Sequence, residues 1–295
     1  MFKNAQMYRL PRPWPVDPDE FQEALKSQAF TPCSSMELQR SGWAPIGDQG
    51  IVYRVGRQLF LQLRTEKKLL PASVIKEVAA TRCLELEEAQ GFAPGRKQRL
   101  EVRERVADEL LPRAFSVPSR TGVWIDPVHG WMVVDAASSA RADDVVKLLL
   151  KAIDKMPLES LRVQCPPAAM MTQWLHRDEA PQGFTIDMDA TLRATGESRA
   201  VVQYKRHTLE ANDLGRHIAA GKQCVRLALT WEDKISFVLS EDLALSGIKA
   251  LDVLEQNPDG KDTGERLDGE LMLMAGELNG LFMALTDALG GEATA

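Results

Sequence analysis

The chain has 295 residues, 44% apolar and 26% charged, with a formal net charge of −6. This is an ordinary globular balance, long enough for about two domains and one or two sizeable cores. A pI near 5.4 excludes a uniformly basic coat for nucleic acid, so any DNA contact must come from charge gathered on one face.

Residues 2–10 alternate loosely and predict a first strand. Pro11, Pro13, Pro15 and Pro18 end it. Residues 17–30 predict a short helix with Asp17 as N-cap, Pro18 at the first helical position, and Phe21, Leu25 and Phe30 on its apolar side. Residues 31–50 read as a loop rich in Gly, Ser and Pro. Residues 50–64 predict a β-hairpin turning at Gly56-Arg57. Pro71 opens a long helical stretch that GFAPG at 91–95 breaks, and a second helix runs over 96–111 until Pro112 stops it. Two helices around one break form an αα-hairpin. Its second arm carries Arg96, Lys97, Arg99, Arg103 and Arg105, leaving few apolar positions, so the pair either projects from the body or lies on it as an ordinary surface pair.

Residues 121–136 predict a second hairpin, turning at Val128-His129-Gly130. Residues 140–156 predict an amphipathic helix with Val145, Val146, Leu149 and Ile153 on one face. A strand at 158–165 and a short helix at 170–177 around Trp174 and Leu175 follow. Residues 183–188 and 200–204 are strand-like, and 208–219 are helical, with Thr208 as N-cap and Gly221 as the stop. Residues 224–230 and 234–239 predict a third hairpin, 243–254 a strand running into a helix, 256–264 a polar loop, and 267–289 a closing apolar helix. A strand pair followed by a helix thus occurs three times, near 51–88, 122–155 and 224–254. The expected fold class is α+β, with antiparallel β-sheets and helices on one side. The expected division is a central α+β domain at 1–70 and 115–156, a projecting helical hairpin at 71–114, and a C-terminal α+β domain at 157–295.

Charge is segregated along the chain. Residues 198–226 hold Arg199, Lys205, Arg206, Arg216, Lys222 and Arg226 against Glu210 and Asp213, a local net of +4, with His207 and His217 beside them. From residue 252 onward, ten acidic side chains face only Lys261 and Arg266. The basic island reads either as a solvated surface of uneven charge or as a phosphate-binding surface. No phosphate loop supports a nucleotide site: residues 215–222 have five residues between the glycines and Gln223 where Ser or Thr would hold magnesium. His129, His176, His207 and His217 form no zinc-like pair, and Asp187 and Asp189 read as solvated. Asp48 followed by Glu66-Lys67-Lys68 leaves open a magnesium-dependent nuclease, in which carboxylates hold the metal beside a lysine. Cys33, Cys83, Cys165 and Cys224 form no Cys-x-x-Cys pair, fitting reduced thiols in a cytosolic protein. Neither a signal peptide nor a membrane-spanning run is predicted.

Stretches spread along the chain carry a further signal. They include FKNAQMYRL at 2–10, AFTPC at 29–33, LPASVIK at 70–76, LLPRAFS at 110–116, HIAAGK at 217–222 and LALTW at 227–231. In order and spacing this resembles the RdgC family, recombination-associated proteins of bacteria. The resemblance implies a non-enzymatic, cofactor-free protein of the cytoplasm and nucleoid: a crescent monomer forming a ring-shaped homodimer. It implies that double-stranded DNA passes through a positively lined hole with little sequence preference, which limits access of the RecA recombinase. The family's DNA-facing basic residues fall on Lys205, Arg206 and Lys222, and the basic island adds Arg199, His207 and Arg226. The family's gate aromatic falls on Phe115, next to Arg113, as a dimer contact; an intramolecular core contact is the other reading of Phe115. A module acting on RecA directly through the acidic C-terminal surface is a further alternative.

Overall fold

A computed structural model describes residues 2–47, 49–251 and 263–293. Its strands are β1 (Asn4–Arg9), β2 (Gln39–Ala44), β3 (Tyr53–Val55), β4 (Gln58–Lys68), β5 (Ser116–Asp126), β6 (Trp131–Val134), β7 (Glu159–Ser160), β8 (Phe184–Ala194), β9 (Val201–Tyr204), β10 (Lys222–Trp231), β11 (Ile235–Ser240) and β12 (Leu245–Ala250). Its helices are α1 (Pro18–Lys26), α2 (Ala72–Gln90), α3 (Arg96–Leu110), α4 (Ser139–Ala152), α5 (Pro167–Arg177), α6 (Ala211–Ala219) and α7 (Thr263–Ala288). The strands form one sheet in the order β2-β4-β5-β6-β1-β12-β11-β10-β8-β9, with β3 on β4 and β7 on β1. The pairings of these strands are antiparallel, as an α+β reading expects.

β1 joins the two halves. Gln6 to Arg9 pair with Val134 to Trp131 on β6, while Asn4 and Ala5 pair with Ser246 and Leu245 on β12. Helices do not keep to one side, as the sequence suggested. Leu59, Leu61 and Leu63 of β4 pack with Phe21 and Leu25 of α1 and Val145 and Leu149 of α4. Phe60 of β4, Trp124 of β5 and Val133 of β6 belong instead to the core around α7. Successive strand residues point to opposite faces, so this half of the sheet is covered on both. Trp131 Nε1 donates to Asn279 Oδ1 of α7 (3.0 Å), and the ring centroids of Trp131 and Phe282 lie 5.5 Å apart. The core of α7 continues beneath the second half, with Leu227, Leu229, Phe237 and Leu239.

Local signals explain much of this. Asp17 caps α1 by accepting from the N–H groups of Asp19 (2.8 Å) and Glu20 (3.4 Å), with Phe21 and Leu25 buried, but Phe30 lies beyond the helix end. Gly56 adopts φ 59° in the β3–β4 turn, where a side chain would be strained. Gly91, at φ 77°, ends α2. α2 and α3 run side by side, tied by Gln98 Nε2 to Gln90 Oε1 (3.1 Å) and by Arg82 to Glu109 (3.6 Å). Only Ala79 and Val106 of this pair are buried.

Other expectations are corrected. β2 lies inside the predicted loop at 31–50. The strand expected at 158–165 shrinks to β7. The cap of α6 is Glu210 rather than Thr208, because the helix starts only at Ala211. The third unit continues from its hairpin into β12, not directly into a helix; Asp48, residues 252–262 and most of the polar loop lie outside the described residues.

The β5–β6 turn shows how a buried charge is held. Asp126 Oδ1 accepts from the N–H groups of Val128 (2.8 Å) and His129 (3.0 Å), and Oδ2 meets His129 Nδ1 at 2.6 Å. Burial pushes the carboxyl up, but the His129 and Val128 bonds and Gln58 outweigh it and hold it below the usual carboxylate range. A depressed folded value stabilises the fold above the unfolded pKa of about 3.9, and this stability is lost as pH falls through the folded value. Asp126→Asn is therefore expected to lower the urea midpoint at pH 6, with the gap to the parent narrowing on acidification below about pH 4. A gap that stays constant across that range refutes the assignment.

Candidate nucleic-acid interface

The basic island folds at the β9 end of the sheet. β10 alternates between the core and the outer face: Leu227, Leu229 and Trp231 are buried inward, while Arg226 is exposed between them and the end of the strand. Arg226 pairs with Thr191 of β8 and Ser240 of β11. Its guanidinium reaches past β11 to donate to Ser246 Oγ of β12 (3.1 Å). The arginine therefore lies across the uncovered face of this half of the sheet.

Beyond Tyr204 the chain leaves β9. Arg206 takes φ 49°, a conformation L-residues rarely adopt, and its N–H donates to Asp189 Oδ1 on β8 (2.7 Å). The kink turns His207 back, so that its ring centroid lies 6.1 Å from that of Tyr204. His207 Nδ1 donates to Thr208 O (2.8 Å). On the other side, His217 of α6 meets Tyr204 at 6.4 Å, and Lys222 Nζ donates to His217 Nδ1 (3.4 Å). Asp189, which reads as solvated in the sequence, is the buttress of this loop; Asp187 likewise accepts from Thr230 Oγ1 (3.0 Å).

The predicted residues gather in part. Lys205 and Arg226 line one depression of about 200 Å³ with Asp189 and Gln203. Lys205 and His207 line an adjoining one of about 320 Å³ with Gln203 and Tyr204. Lys222 joins through His217 and Tyr204. Arg199 lies apart, in a depression with Arg193, Gln223 and Glu241. Arg193, Gln203 and Tyr204 are the members that the sequence reading missed. Arg193 forms an ion pair with Glu241 (2.6 Å), and its place beside Thr191 and Ala194 on an alternating strand was the available signal.

A second basic cleft, about 640 Å³, lies between Arg9, Arg12, Arg162 and Glu292. There Glu292 already pairs with Arg9 and Arg12, and Arg9 stacks over Trp131 at 3.2 Å. The cleft ties the end of α7 to β1. Cys224 is buried, and burial pushes its thiol up to about 12, which leaves it unreactive in the folded chain.

The nuclease candidates have structural partners. Lys68 is 6% exposed, and its ammonium donates to Ser35 O (2.5 Å) and Leu111 O (3.0 Å). Glu66 Oε2 accepts from Cys33 N–H (3.0 Å). Asp48 lies outside the described residues, and among those described no three His, Cys, Asp or Glu residues are placed to hold a metal. No helix among the described residues is long and apolar enough to cross a membrane.

Phe115 is not a core residue. It follows a short 3₁₀ turn, Leu111–Arg113, and is 84% exposed, with Arg113 also exposed.

The family model described as "RdgC: Putative exonuclease, RdgC" matches residues 1–292. The chain belongs to the RdgC family. It is 55% identical to the "Recombination-associated protein RdgC" of Herminiimonas arsenicoxydans over 294 residues, 99% of this chain and 98% of that relative. The RdgC protein of Janthinobacterium sp. (strain Marseille) is also 55% identical, with the same coverage. That of Burkholderia orbicola (strain MC0-3) is 53% identical over 99% of this chain and 96% of its own. The resemblance read from dispersed stretches is thus borne out over the whole chain. The family model carries an exonuclease in its description, whereas these RdgC relatives are described by recombination.

Proposed function

We propose that this RdgC chain is a sequence-independent double-stranded DNA-binding protein of the nucleoid. It acts as a homodimer that closes a ring around the duplex and limits access of RecA during recombination. The observation that carries this reading is the joined depressions of Lys205, His207 and Arg226, with Lys222 beside them, in a chain whose net charge is −6. Cations gathered towards the β9 end of the sheet meet phosphates there, while an acidic exterior elsewhere disfavours loose binding. In this reading the α2–α3 pair projects as the arm that ends at Phe115. Phosphate contacts position the protein without reading sequence.

Fluorescence anisotropy with unrelated duplexes tests it. Affinities within about threefold of one another, falling steeply with salt at a log–log slope of roughly −0.9 per neutralised phosphate, are expected. A shallow slope, or one duplex strongly preferred, defeats the proposal. Circular and linear plasmid arms with magnesium belong in the same experiment: nicking or linearisation of the circle supports a magnesium-dependent nuclease instead, and loss of the linear form from its ends supports the exonuclease of the family description.

A further inference from the structure

We infer that Lys68 is a positioning residue for Phe115: its buried ammonium pins the roots of the α2–α3 arm to the end of β4, and so fixes the direction in which the aromatic is presented. This rests on the reading of Phe115 as a dimer contact and adds to it the group that holds the contact in place.

The arm has little else to aim it. α2 packs chiefly on α3, α3 runs into the 3₁₀ turn at Leu111–Arg113, and only Ala79 and Val106 of the two helices are buried. Its direction is therefore decided at its roots, residues 69–71 and 111–115. Lys68 stands between them. It pairs with Ser116 in the β4–β5 register, and the next amide, Leu69 N–H, donates to Phe115 O (2.7 Å). Its ammonium donates to Leu111 O (3.0 Å), where α3 ends, and to Ser35 O (2.5 Å) in the loop before β2. Alternate residues of β4 hold that loop. The Arg64 guanidinium lies 4.5 Å from the centroid of the Phe30 ring, Glu66 Oε2 accepts from Cys33 N–H (3.0 Å), and Lys68 takes Ser35. Of these rungs, Lys68 also reaches the arm.

The energetics show what the arrangement is for. Lys68 is 6% exposed, and both of its acceptors are backbone carbonyls rather than carboxylates. Burying a cation in this way costs free energy. The carbonyl end of α3 offsets part of that, because a helix C-terminus favours positive charge. An apolar side chain of the same length would fill the space without desolvating a charge. What the ammonium adds is direction, since its donors are satisfied only when Ser35 and Leu111 sit where they do.

The test is a double-mutant cycle on the full chain, read by analytical ultracentrifugation. Lys68→Met is expected to weaken self-association about tenfold in the parent and less than about twofold in the Phe115→Ser background, since the two residues act through one contact. Lys68→Gln keeps a donor without the charge, and it carries the same cycle if the Met variant does not fold. Amide exchange reads the pin itself. Lys68→Met should speed exchange at Leu69 and Ala114 at least about fivefold relative to residues 123–125 in β5. Equal losses of self-association in both backgrounds, or no loss in the parent, overturn the positioning role. Unchanged exchange at Leu69 and Ala114 overturns the pin. If Phe115→Ser leaves self-association untouched, the Phe115 reading fails, and faster exchange then leaves Lys68 standing as the pin of the arm alone.

Discussion

Alanine at Lys205, Arg206 and Lys222 together is expected to lower duplex affinity by between about tenfold and a few hundredfold at 0.1 M salt. If each cation neutralises one phosphate, the log–log salt slope should flatten by about 0.9 per residue removed, or about 2.7 in all. The variant is a fair test because the side chains do little for the fold. Lys205 and Arg206 are exposed, and Arg206 engages Asp189 through its backbone, which alanine keeps. Lys222 is half-buried and gives up only the long bond to His217 (3.4 Å). Exposed substitutions of this kind usually change stability by less than about 0.5 kcal/mol. The melting temperature should therefore hold within a few degrees while binding falls. Parental slope and affinity in the triple variant would show that the duplex lies elsewhere.

Phe115→Ser is expected to weaken self-association by about thirtyfold or more, the size of effect seen when an aromatic anchor leaves the centre of an interface. Analytical ultracentrifugation reads this directly. The variant should also release closed circular DNA quickly, while short linear duplexes, which can slide out of a ring in either case, are retained almost as in the parent. At 84% exposure the ring contributes little to the monomer's own stability, so the substitution should leave the melting temperature unchanged. The setting suits an anchor. Leu38, Leu69 and Val117 are also exposed, and they join Phe115 through the backbone: Lys68 N–H donates to Leu38 O (2.8 Å), Leu69 N–H donates to Phe115 O (2.7 Å), and Lys67 pairs with Val117. Exposed apolar side chains in one region mark interaction sites more often than chance. Unchanged sedimentation and unchanged retention of circles would remove Phe115 from any interface.

The elements that declared themselves in the sequence are those fixed by local chemistry. The β3–β4, β5–β6 and β10–β11 hairpins follow from alternating or continuous apolar runs around tight turns, and Asp17 with Pro18 announces α1. β2 was hidden because Gln39, Arg40, Ser41 and Gly42 look like a loop. What makes the segment a strand is distant in sequence: Ser41 opposite Thr65, and Gly42 so close to Phe30 that a Cβ would lie 2.5 Å from its Cα. The double duty of α7 was hidden for a similar reason, since nothing in a helix states how many faces of a sheet it will cover. Within the candidate site, composition pointed to the basic island but not to Tyr204 or Gln203. Their relevance comes from the kink at Arg206, which depends on a carboxylate seventeen positions away at Asp189.

The shared strand β1 has a practical consequence. Residues 4–9 hydrogen-bond into both halves of the sheet, and Arg9 is clamped to Glu292 beyond the end of α7. A deletion there removes the seam rather than a margin, so cutting the chain after β6 does not release either half as a self-sufficient fragment. Dissecting this molecule therefore calls for point substitutions rather than truncations.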